Sequence, residues 1–536
     1  MKAFIAFRMT PLIPRFVFAG WLFSVSAAFA TVHQGNGIKT GEVTADSAVI
    51  WTRLTTAPEA NWKGVPFIEP SLDGKREGLR TATNVARASG MSEDLAKAEK
   101  KAKKDATAVT QAQLRDIVLK ADWRSQIPAG RTLSEMHGTL PGANGTVRVS
   151  LTPTGDGSPV ETTWTLVDPR QDHTRQFKVA SLKPGTSYRV RVESRDEQGR
   201  PGQTVNGQFR TAPAATVAAP VKFGVVTCGD YPRRDDPANG HRIYDTLHRM
   251  QLDFIVHTGD VEYYDKPDPW GTSAELARVK WNRLFALPFQ RTFHNNTAAY
   301  FTNDDHDILK NDSWPGQTYG SLTWDEGIGI FHEQTPSSPL PYRTFRHGRD
   351  LQIWVIEGRR YRSANTDPDG PAKTILGAEQ KAWLLRTIAA SDATFKVLLT
   401  PTPIVGPDRD RKNDNHANTG FKHEGDELRR FLGAQKNLVI ACGDRHWQYY
   451  SMDPVTGARE FGCGPSSDVH AGGYVKSPGD EAIQKFFRLK GGFLTMAVEG
   501  GGSAGRMMIR HHAVDGALTH EATLDATGAM QARVVR

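Results

Sequence analysis

The chain has 536 residues, of which 38% are hydrophobic and 24% are charged. This length exceeds what one ordinary hydrophobic core serves, so two or three domains are expected, and the composition excludes a disordered chain. The formal net charge of +8 suits an anionic substrate without establishing one. Three cysteines exclude a disulfide scaffold, and because the number is odd, at least one thiol stays unpaired.

Residues 1–30 have the pattern of a secretory signal peptide. Lys2 and Arg8 precede an apolar stretch at 16–29, which closes on the small-residue pattern Ala28-Phe-Ala30. The apolar stretch is shorter than a membrane span requires, so no transmembrane segment is expected after its removal. We therefore expect export to the periplasm or the extracellular space, with Thr31 as the first mature residue.

Residues 31–215 predict an all-β domain. Residues 43–53 alternate around a turn, as paired strands of a sandwich do, and residues 177–192 contain two strand-like runs separated by a turn. The second stretch contains Leu182, Pro184, Gly185 and Tyr188, and a closing Phe-Arg-Thr sequence follows at 209–211. By the spacing of these residues, this region resembles a fibronectin type III module.

A lysine- and alanine-rich stretch at 91–120 interrupts this β-rich region. It contains no proline or glycine and its apolar positions are sparse, so an exposed helix or hairpin is expected there. The charges indicate a solvated face, because the interleaved aromatic residues of a nucleic-acid-binding segment are missing. No nucleic-acid partner is indicated, except as a substrate.

Strands and helices alternate beyond a proline- and alanine-rich linker at 211–220. The predicted strands are 223–227, 252–257, 299–302, 351–357, 395–400, 438–442 and 493–499, and the predicted helices are 239–250, 274–286, 378–390 and 426–432. This succession is of the βαβ type, and the C-terminus from residue 507 predicts antiparallel strand pairs. Residues 216–536 are therefore expected to form an α/β domain.

Polar residues follow four of these strands directly. The four strand-end motifs are Cys228-Gly-Asp230, Gly259-Asp260-Val-Glu-Tyr263, Asn303-Asp304-Asp305-His306-Asp307 and Gly443-Asp444-Arg445-His446. In an open α/β sheet, ligands gather beyond the carboxyl ends of the strands. The recurrence of thiol, carboxylate, phenol and imidazole at these ends predicts a metal site, although a single motif of this kind would more often be a polar loop.

The residue types indicate which ions such a site would bind. A centre with two adjacent ions needs a bridging carboxylate, and Asp260 is the candidate because Gly259 leaves room beside it. The thiolate of Cys228 and the phenolate of Tyr263 favour trivalent iron over magnesium or calcium. Asp444 and His446 are two residues apart on an extended segment and therefore share a face.

The third motif supplies the candidate catalytic residues. Asp305 is expected to face a metal, and His306 to face a substrate oxygen as general acid or phosphate contact. The amide oxygen of Asn311 suits a hard ion such as Ca²⁺.

Taken together, the four motifs resemble the PhoD-type alkaline phosphatases, which belong to the calcineurin-like metallophosphoesterases; Trp51-Thr-Arg53 is similar to that family's N-terminal domain. The resemblance implies an α/β fold, a two-sheet αββα-type sandwich preceded by an all-β fibronectin- or immunoglobulin-like domain. It also implies Fe³⁺ and Ca²⁺ as cofactors, with other divalent metals as alternatives. By this resemblance Cys228, Asp260, Tyr263 and His446 would hold iron, Asp260, Asp305 and Asn311 would face calcium, and His306 would be the catalytic histidine.

Several residues near these motifs have no assigned role. Asp230 stands where the superfamily usually has a histidine, and a further metal-facing residue common in relatives is missing from 399–408, so Asp408, Asn415 and His416 are candidate substitutes. The roles of Arg445, Trp447 and the Asp468-Val-His470 loop stay open. Cys442 and Cys463 either pair or are simply buried.

The predicted function is the metal-assisted hydrolysis of phosphate esters. A phosphomonoesterase is the first choice, a phosphodiesterase or phospholipase-D-like enzyme the second, and a fibronectin-like binding or adhesion protein without metal or hydrolysis the third. The sequence contains no Gly-x-Ser-x-Gly elbow and no P-loop, so it does not support acyl transfer or nucleoside-triphosphate chemistry.

Overall fold

The computed structural model describes residues 31–70, 111–409 and 412–535. The predicted signal peptide and most of the predicted 91–120 helix lie outside these residues. The described end of that segment is helical, as α1 (Gln111–Lys120). None of the helices within the described ranges is long and apolar enough to span a membrane.

Two antiparallel sheets occupy the N-terminal part of the chain. Their strands are β1 (Ile38–Gly41), β2 (Ala48–Arg53), β3 (Thr146–Pro153), β4 (Val160–Glu161), β5 (Thr165–Leu166), β6 (Thr174–Val179), β7 (Ser187–Arg195) and β8 (Val205–Arg210). One sheet has the order β1-β2-β6, and the other has the order β4-β3-β7-β8 with β5 also paired to β3. The two strands expected within 177–192 thus belong to different sheets, and the turn at Pro184-Gly185 carries the chain from one to the other.

The remaining strands form two seven-stranded sheets and a short β12–β13 pair. These strands are β9 (Val221–Val226), β10 (Phe254–Thr258), β11 (Ala298–Thr302), β12 (Thr318–Tyr319), β13 (Leu322–Thr323), β14 (Arg343–His347), β15 (Leu351–Val355), β16 (Phe395–Thr400), β17 (Leu438–Cys442), β18 (Gln448–Met452), β19 (Arg459–Cys463), β20 (Gln484–Arg488), β21 (Phe493–Glu499), β22 (Arg506–His512), β23 (Leu518–Asp525) and β24 (Met530–Val534). The first sheet runs β11-β10-β9-β21-β22-β23-β24 and the second β14-β15-β16-β17-β19-β18-β20. Within them, β9–β11 are parallel to one another, as are β15, β16, β17 and β19.

Helices cover the outer faces of the two large sheets. The helices are α2 (Arg242–Met250), α3 (Ala274–Ala286), α4 (Pro288–Asn296), α5 (Trp324–Gln334), α6 (Gly377–Ala389) and α7 (Lys422–Gly433). Alternate residues of a strand face opposite sides of its sheet. Ile255 of β10 belongs to a buried cluster with residues of α2–α5, whereas Val256 belongs to a different buried cluster with Val397 of the second sheet. Leu398 packs with α6 and α7 in a third. The layers therefore run helices, sheet, sheet, helices, and the predicted mixed α/β architecture is confirmed.

The predicted strands and helices of residues 216–536 are present, with ends shifted by a few residues. Two helices, α4 and α5, were not predicted. The sequence of α5 contains Gly327 and Gly329, which favour a loop, but a Cβ on Gly327 would lie 2.1 Å from the Ile308 carbonyl oxygen. Glycine there lets the helix approach the backbone that follows the third strand-end motif.

The N-terminal strands contact α3 and α5 through a buried charged cluster. Arg53 donates to both carboxylate oxygens of Asp172 at 2.7 and 2.9 Å and to the Leu140 carbonyl at 2.9 Å. Asp172 also accepts from Asn282 of α3 at 2.7 Å and from Gln334 of α5 at 2.9 Å. The Trp51 indole N–H donates to the carbonyl of Glu333 at 2.7 Å. The Trp-Thr-Arg motif thus joins the N-terminal strands to these helices.

Candidate metal centre

The polar residues after β9, β10, β11 and β17 meet at one place, between the two large sheets. Two glycines permit this approach. A Cβ on Gly443, after β17, would lie 2.4 Å from the carbonyl oxygen of Thr258 in β10, and a Cβ on Gly259 would lie 2.5 Å from the Asp304 Cβ. The first contact joins strand ends from different sheets and the second joins the ends of two neighbouring strands of one sheet, and each approach is possible only where a side chain is missing.

Three of the converging residues have left-handed backbone conformations. Their φ angles are +54° for Cys228, +55° for Asp260 and +60° for Asp444. Non-glycine residues pay on the order of 1 kcal/mol for this conformation. Each of them turns the chain sharply at a strand end and directs its side chain into the shared site, so the strain occurs where the candidate ligands are.

The donor atoms lie close enough to hold metal ions. The Cys228 Sγ lies 3.6 Å from Asp260 Oδ2, and the Tyr263 hydroxyl lies 3.0 Å from the same oxygen and 3.5 Å from His446 Nε2. Among the residues that the structure describes, three sets have ligand atoms within 4.8 Å of one another: Cys228 with Asp260 and His446, Asp260 with Asp305 and His306, and Asp260 with Asp304 and Asp444. Asp260 belongs to all three, the position expected of a bridging carboxylate.

The environment of Asp260 fits a bound cation. Its side chain is fully buried, and Oδ1 has no hydrogen-bond partner among the described residues. Burial, together with Asp305, Asp304 and Asp444, raises the pKa of Asp260 well above its usual range. Burial and the Asp260 carboxylate also raise the pKa values of the Cys228 thiol and the Tyr263 phenol. A buried carboxylate without enough donors is costly, and a cation supplies the missing charge.

His306 is held by a residue that the sequence did not single out. Its Nδ1 donates to Asp265 Oδ1 at 2.6 Å, and Asp265 Oδ2 accepts from the Asn311 backbone N–H at 3.0 Å. Burial alone would lower the pKa of His306, but the carboxylates of Asp265, Asp305 and Asp260 raise it to about 10. Asp265 lies two residues after Tyr263, and this spacing was the signal available in the sequence.

Arg359 was also missed by the sequence reasoning. It lies just after β15, is fully buried, contacts Asp304 and lies 3.6 Å from Asp305 Oδ2. Glu357 accepts from the Arg359 backbone N–H at 2.8 Å and from the Asn303 side chain at 2.9 Å, which ties this turn to the third motif. A fifth strand end therefore reaches the centre and brings a cation rather than a ligand.

The model of the PhoD-like phosphatase family matches residues 223–489, which contain all of the ligand candidates. The chain belongs to the PhoD-like phosphatase family. Alkaline phosphatase D of Bacillus subtilis (strain 168) is 23% identical in an alignment 342 residues long, and the match covers 53% of this chain and 55% of that protein. The chain thus spans about half the length of this curated relative.

Two solved structures share the fold of this PhoD-like chain. A structure of PhoD covers 95% of this chain and 93% of its own, with a TM-score of 0.64 at 16% identity. A purple acid phosphatase from yellow lupin (Lupinus luteus) seeds covers 72% and 71%, with a TM-score of 0.53 at 11% identity. At these identities the likeness is one of fold.

A second layer of charges surrounds the ligand candidates of this PhoD-like chain. Arg445 contacts Asp444 and lies 3.2 Å from Asp408 Oδ1 and 3.9 Å from Asp414. Lys412 lies 3.6 Å from Asp414, which is also 3.9 Å from Arg359. These cations offset the excess of carboxylates, and Asp414 was not singled out by the sequence.

The candidate substitutes for a further metal-facing residue have partners of their own. The Asn415 side chain donates to Asp408 Oδ2 at 2.8 Å, and His416 Nε2 lies 3.0 Å from Glu424 Oε2. Neither Asp408 nor His416 belongs to a ligand group within the described ranges. Asp230 is buried 3.6 Å from Arg233 and likewise belongs to none of these groups.

Two further expectations concern Asn311 and the remaining cysteines. Asn311 is exposed to solvent, and its assignment to calcium stays a prediction. Cys442 and Cys463 are free and buried: the Cys442 Sγ lies 3.0 Å from the Tyr449 hydroxyl, and the Cys463 thiol donates to the Cys442 carbonyl at 3.5 Å. Simple burial is therefore the correct alternative for this pair.

Proposed function

We propose that this chain is a metal-dependent phosphoric ester hydrolase that cleaves phosphate monoesters. The observation that carries the proposal is the buried Asp260 carboxylate, whose Oδ1 has no partner among the described residues and which belongs to three groups of metal-binding side chains. Membership of the PhoD-like phosphatase family supports the same chemistry.

The proposed ligands divide by the softness of their donor atoms. Cys228, Tyr263 and His446 with Asp260 would hold Fe³⁺, because thiolate and phenolate favour that ion. Asp260, Asp305 and Asn311 would face Ca²⁺, which prefers oxygen ligands. Asp444 would add a carboxylate beside the bridge, and other divalent metals are the alternative to calcium.

In the proposed reaction, His306 would protonate the leaving group. Bound metal ions would supply Lewis acidity and lower the pKa of a water molecule. The His306 Nδ1–H is held by Asp265, which fixes the ring and leaves Nε2 for the substrate. From that atom His306 would donate a proton to the departing oxygen. Asp305, next to it, accepts from the His306 backbone N–H at 3.0 Å and so sets the direction of this turn.

The proposal includes export and a division into three parts. Residues 1–30 would be a signal peptide, residues 31–215 an all-β, fibronectin-like domain, and residues 216–536 the catalytic domain. The composition of residues 1–30 and the antiparallel sheets β1–β8 support this division. The enzyme would act in the periplasm or outside the cell.

The substrate test compares an aryl phosphate monoester with its bis-aryl diester, using purified protein loaded with iron and calcium. We expect faster hydrolysis of the monoester. A preference of tenfold or more for the diester would replace this proposal by a phosphodiesterase. Absence of both hydrolysis and bound metal would favour the third reading, a binding or adhesion protein.

The metal test uses colour, because a phenolate bound to ferric iron absorbs visible light by charge transfer. The loaded protein is expected to be purple to orange, and Tyr263→Phe is expected to lose this absorbance. Tyr264→Phe is the matched control: Tyr264 is also fully buried, but its hydroxyl accepts from the Trp281 indole at 2.6 Å. An unchanged spectrum for Tyr263→Phe would refute the iron assignment.

A further inference from the structure

The loop at 465–472, which follows β19, is hydrogen-bonded to the turns that carry two of the proposed iron ligands. Ser466 donates from its hydroxyl to the Thr227 carbonyl at 2.7 Å and from its backbone N–H to the Cys228 carbonyl at 3.3 Å. The Gly472 N–H donates to the His446 carbonyl at 3.1 Å. One loop thus contacts the end of β9 in the first sheet and the turn after β17 in the second.

His470 makes the central contact of this loop. Its Nδ1 lies 3.2 Å from the Cys228 carbonyl oxygen, and since a carbonyl only accepts, Nδ1 carries the proton. The ring centroid lies 4.1 Å from that of His446 and 5.2 Å from that of Tyr263. His470 is buried, and Nε2 has no hydrogen-bond partner among the described residues.

The backbone conformation of Cys228 explains why its carbonyl oxygen accepts two hydrogen bonds. Cys228 is in the left-handed conformation, with φ of +54°, which a non-glycine residue adopts only when its surroundings compensate for the strain. The N–H of Ser466 and the Nδ1–H of His470 both bond to this carbonyl, and so fix the peptide that sets the direction of the Cys228 thiol. The His446 ring packs against the same imidazole.

We infer that His470 is a positioning residue, which holds Cys228 in its left-handed conformation and supports the His446 ring, so that thiol and imidazole are arranged before a metal binds. The inference rests on the proposed metal centre. It gives His470 a role, although the Asp468-Val-His470 stretch contributes no residue to the ligand groups of the described ranges. Partners that orient metal ligands typically contribute 10–100-fold to metal affinity.

The test compares two substitutions of His470. His470→Ala removes the contact, and we expect iron affinity to fall by roughly 10–100-fold. His470→Asn places an amide N–H near the position of Nδ1 and lacks any counterpart of Nε2, so it should keep the bond to Cys228 and bind iron within about threefold of the wild type. Metal titration and the position of the visible absorbance band are the readouts, together with the melting temperature of the metal-free protein.

The matched control is His511→Ala. His511 is also a buried histidine whose Nε2 lies within 3.0 and 3.2 Å of two main-chain carbonyls, those of Tyr449 and Gly462, but it lies in β22. This variant should melt at a lower temperature with unchanged iron affinity. Should His470→Ala not fold, His470→Gln takes its place: the glutamine amide reaches the position of Nε2 rather than that of Nδ1, so the bond to the Cys228 carbonyl is lost and iron affinity should again fall by roughly 10–100-fold.

The inference would be overturned if His470→Ala, or His470→Gln in its place, bound iron as tightly as the wild type does. An Asn variant as weak as the Ala variant would also overturn it, because Nε2 rather than the bond to Cys228 would then be the essential feature. If the wild type itself binds no metal, the proposed function fails; if it binds metal and hydrolyses esters while His470→Ala binds equally well, only the present inference fails.

Discussion

Two buried charged clusters in this protein differ in how completely their atoms are paired. In the first cluster, both carboxylate oxygens of Asp172 accept hydrogen bonds. The charge of Arg53 and the hydrogen bonds from Arg53, Asn282 and Gln334 hold the pKa of Asp172 below its usual value despite burial. Around Asp260, one oxygen has no partner in the described part of the chain, and burial together with neighbouring carboxylates raises its pKa. Asp260 is fully buried and the Asp172 side chain is only 12% exposed, so both are largely removed from water, and burial alone does not explain their opposite pKa shifts.

The comparison separates a structural cluster from a binding site. In the first cluster the protein supplies all the charge that the carboxylate needs, which joins β2 to α3 and α5. In the second, Arg359 and Arg445 pair with the neighbouring Asp304 and Asp444, but Asp260 Oδ1 has no donor among the described residues, and the left-handed backbone of Asp260 holds this carboxylate in the site. Where an unpartnered oxygen of a buried carboxylate lies among other metal-binding side chains, as at Asp260, a bound cation would complete its pairing.

The largest expected effect is that of Asp260→Asn. Because this carboxylate belongs to all three ligand groups, metal binding and ester hydrolysis should fall by roughly 1,000-fold or more. The metal-free variant should be at least as stable as the metal-free wild type, since a neutral amide avoids the cost of a buried charge. Elemental analysis, ester hydrolysis and denaturant unfolding measure the three quantities. Retention of the wild-type metal content would contradict the bridging role.

The opposite pattern is expected for Arg53→Met. Asp172 then loses the guanidinium that balances its charge and keeps only hydrogen bonds from neutral amides, so the free energy of unfolding should fall by about 3–5 kcal/mol. Iron affinity of the folded protein should not change. In a double-mutant cycle, Asp172→Asn added to Arg53→Met should recover part of the loss, and strict additivity would argue against the pairing seen here.

Asp265→Asn tests a well-paired carboxylate that lies beside the metal centre. The asparagine would remove the negative charge beside the His306 ring and could donate to Nδ1 instead of accepting from it, so kcat should fall by roughly 100-fold, the usual scale for a positioned acid or base. Metal content should stay at the wild-type level, because Asp265 belongs to none of the ligand groups in the described ranges. A loss of kcat that merely follows a loss of metal would assign Asp265 to metal binding instead.

The smallest expected effect is that of Arg278→Met. Arg278 pairs with Glu333 at 2.7 Å near the first cluster, but its side chain is 29% exposed. The cost should therefore lie between those of exposed and buried pairs, at about 1–2 kcal/mol, and it is read from the denaturation midpoint. Metal affinity and hydrolysis should be unchanged. A cost as large as that of Arg53→Met would mean that burial does not decide the difference between these pairs.

Sequence reasoning singled out the candidate ligands that directly follow strands. Cys228, Asp260 and Asp444 each come after an apolar run that ends abruptly, and the parallel strands β9 and β10 bring the first two to the same edge of one sheet. It missed Asp265 and Arg359, which lie in turns, and left His470 without a role. The direction of a side chain in a turn depends on contacts with distant segments, as between Arg359 and Asp304, 55 residues apart.

The sequence by itself determined the mixed α/β architecture, the strand ends that carry thiol, phenol, carboxylate and imidazole, and the family to which these motifs belong. These features follow from local periodicity and from residue types at fixed spacing. Only the tertiary structure decided that Asp260 is shared by three ligand groups, that Asp265 holds His306, and that the 465–472 loop holds Cys228 and His446. Those arrangements depend on close approach between two sheets, and no local pattern encodes that distance.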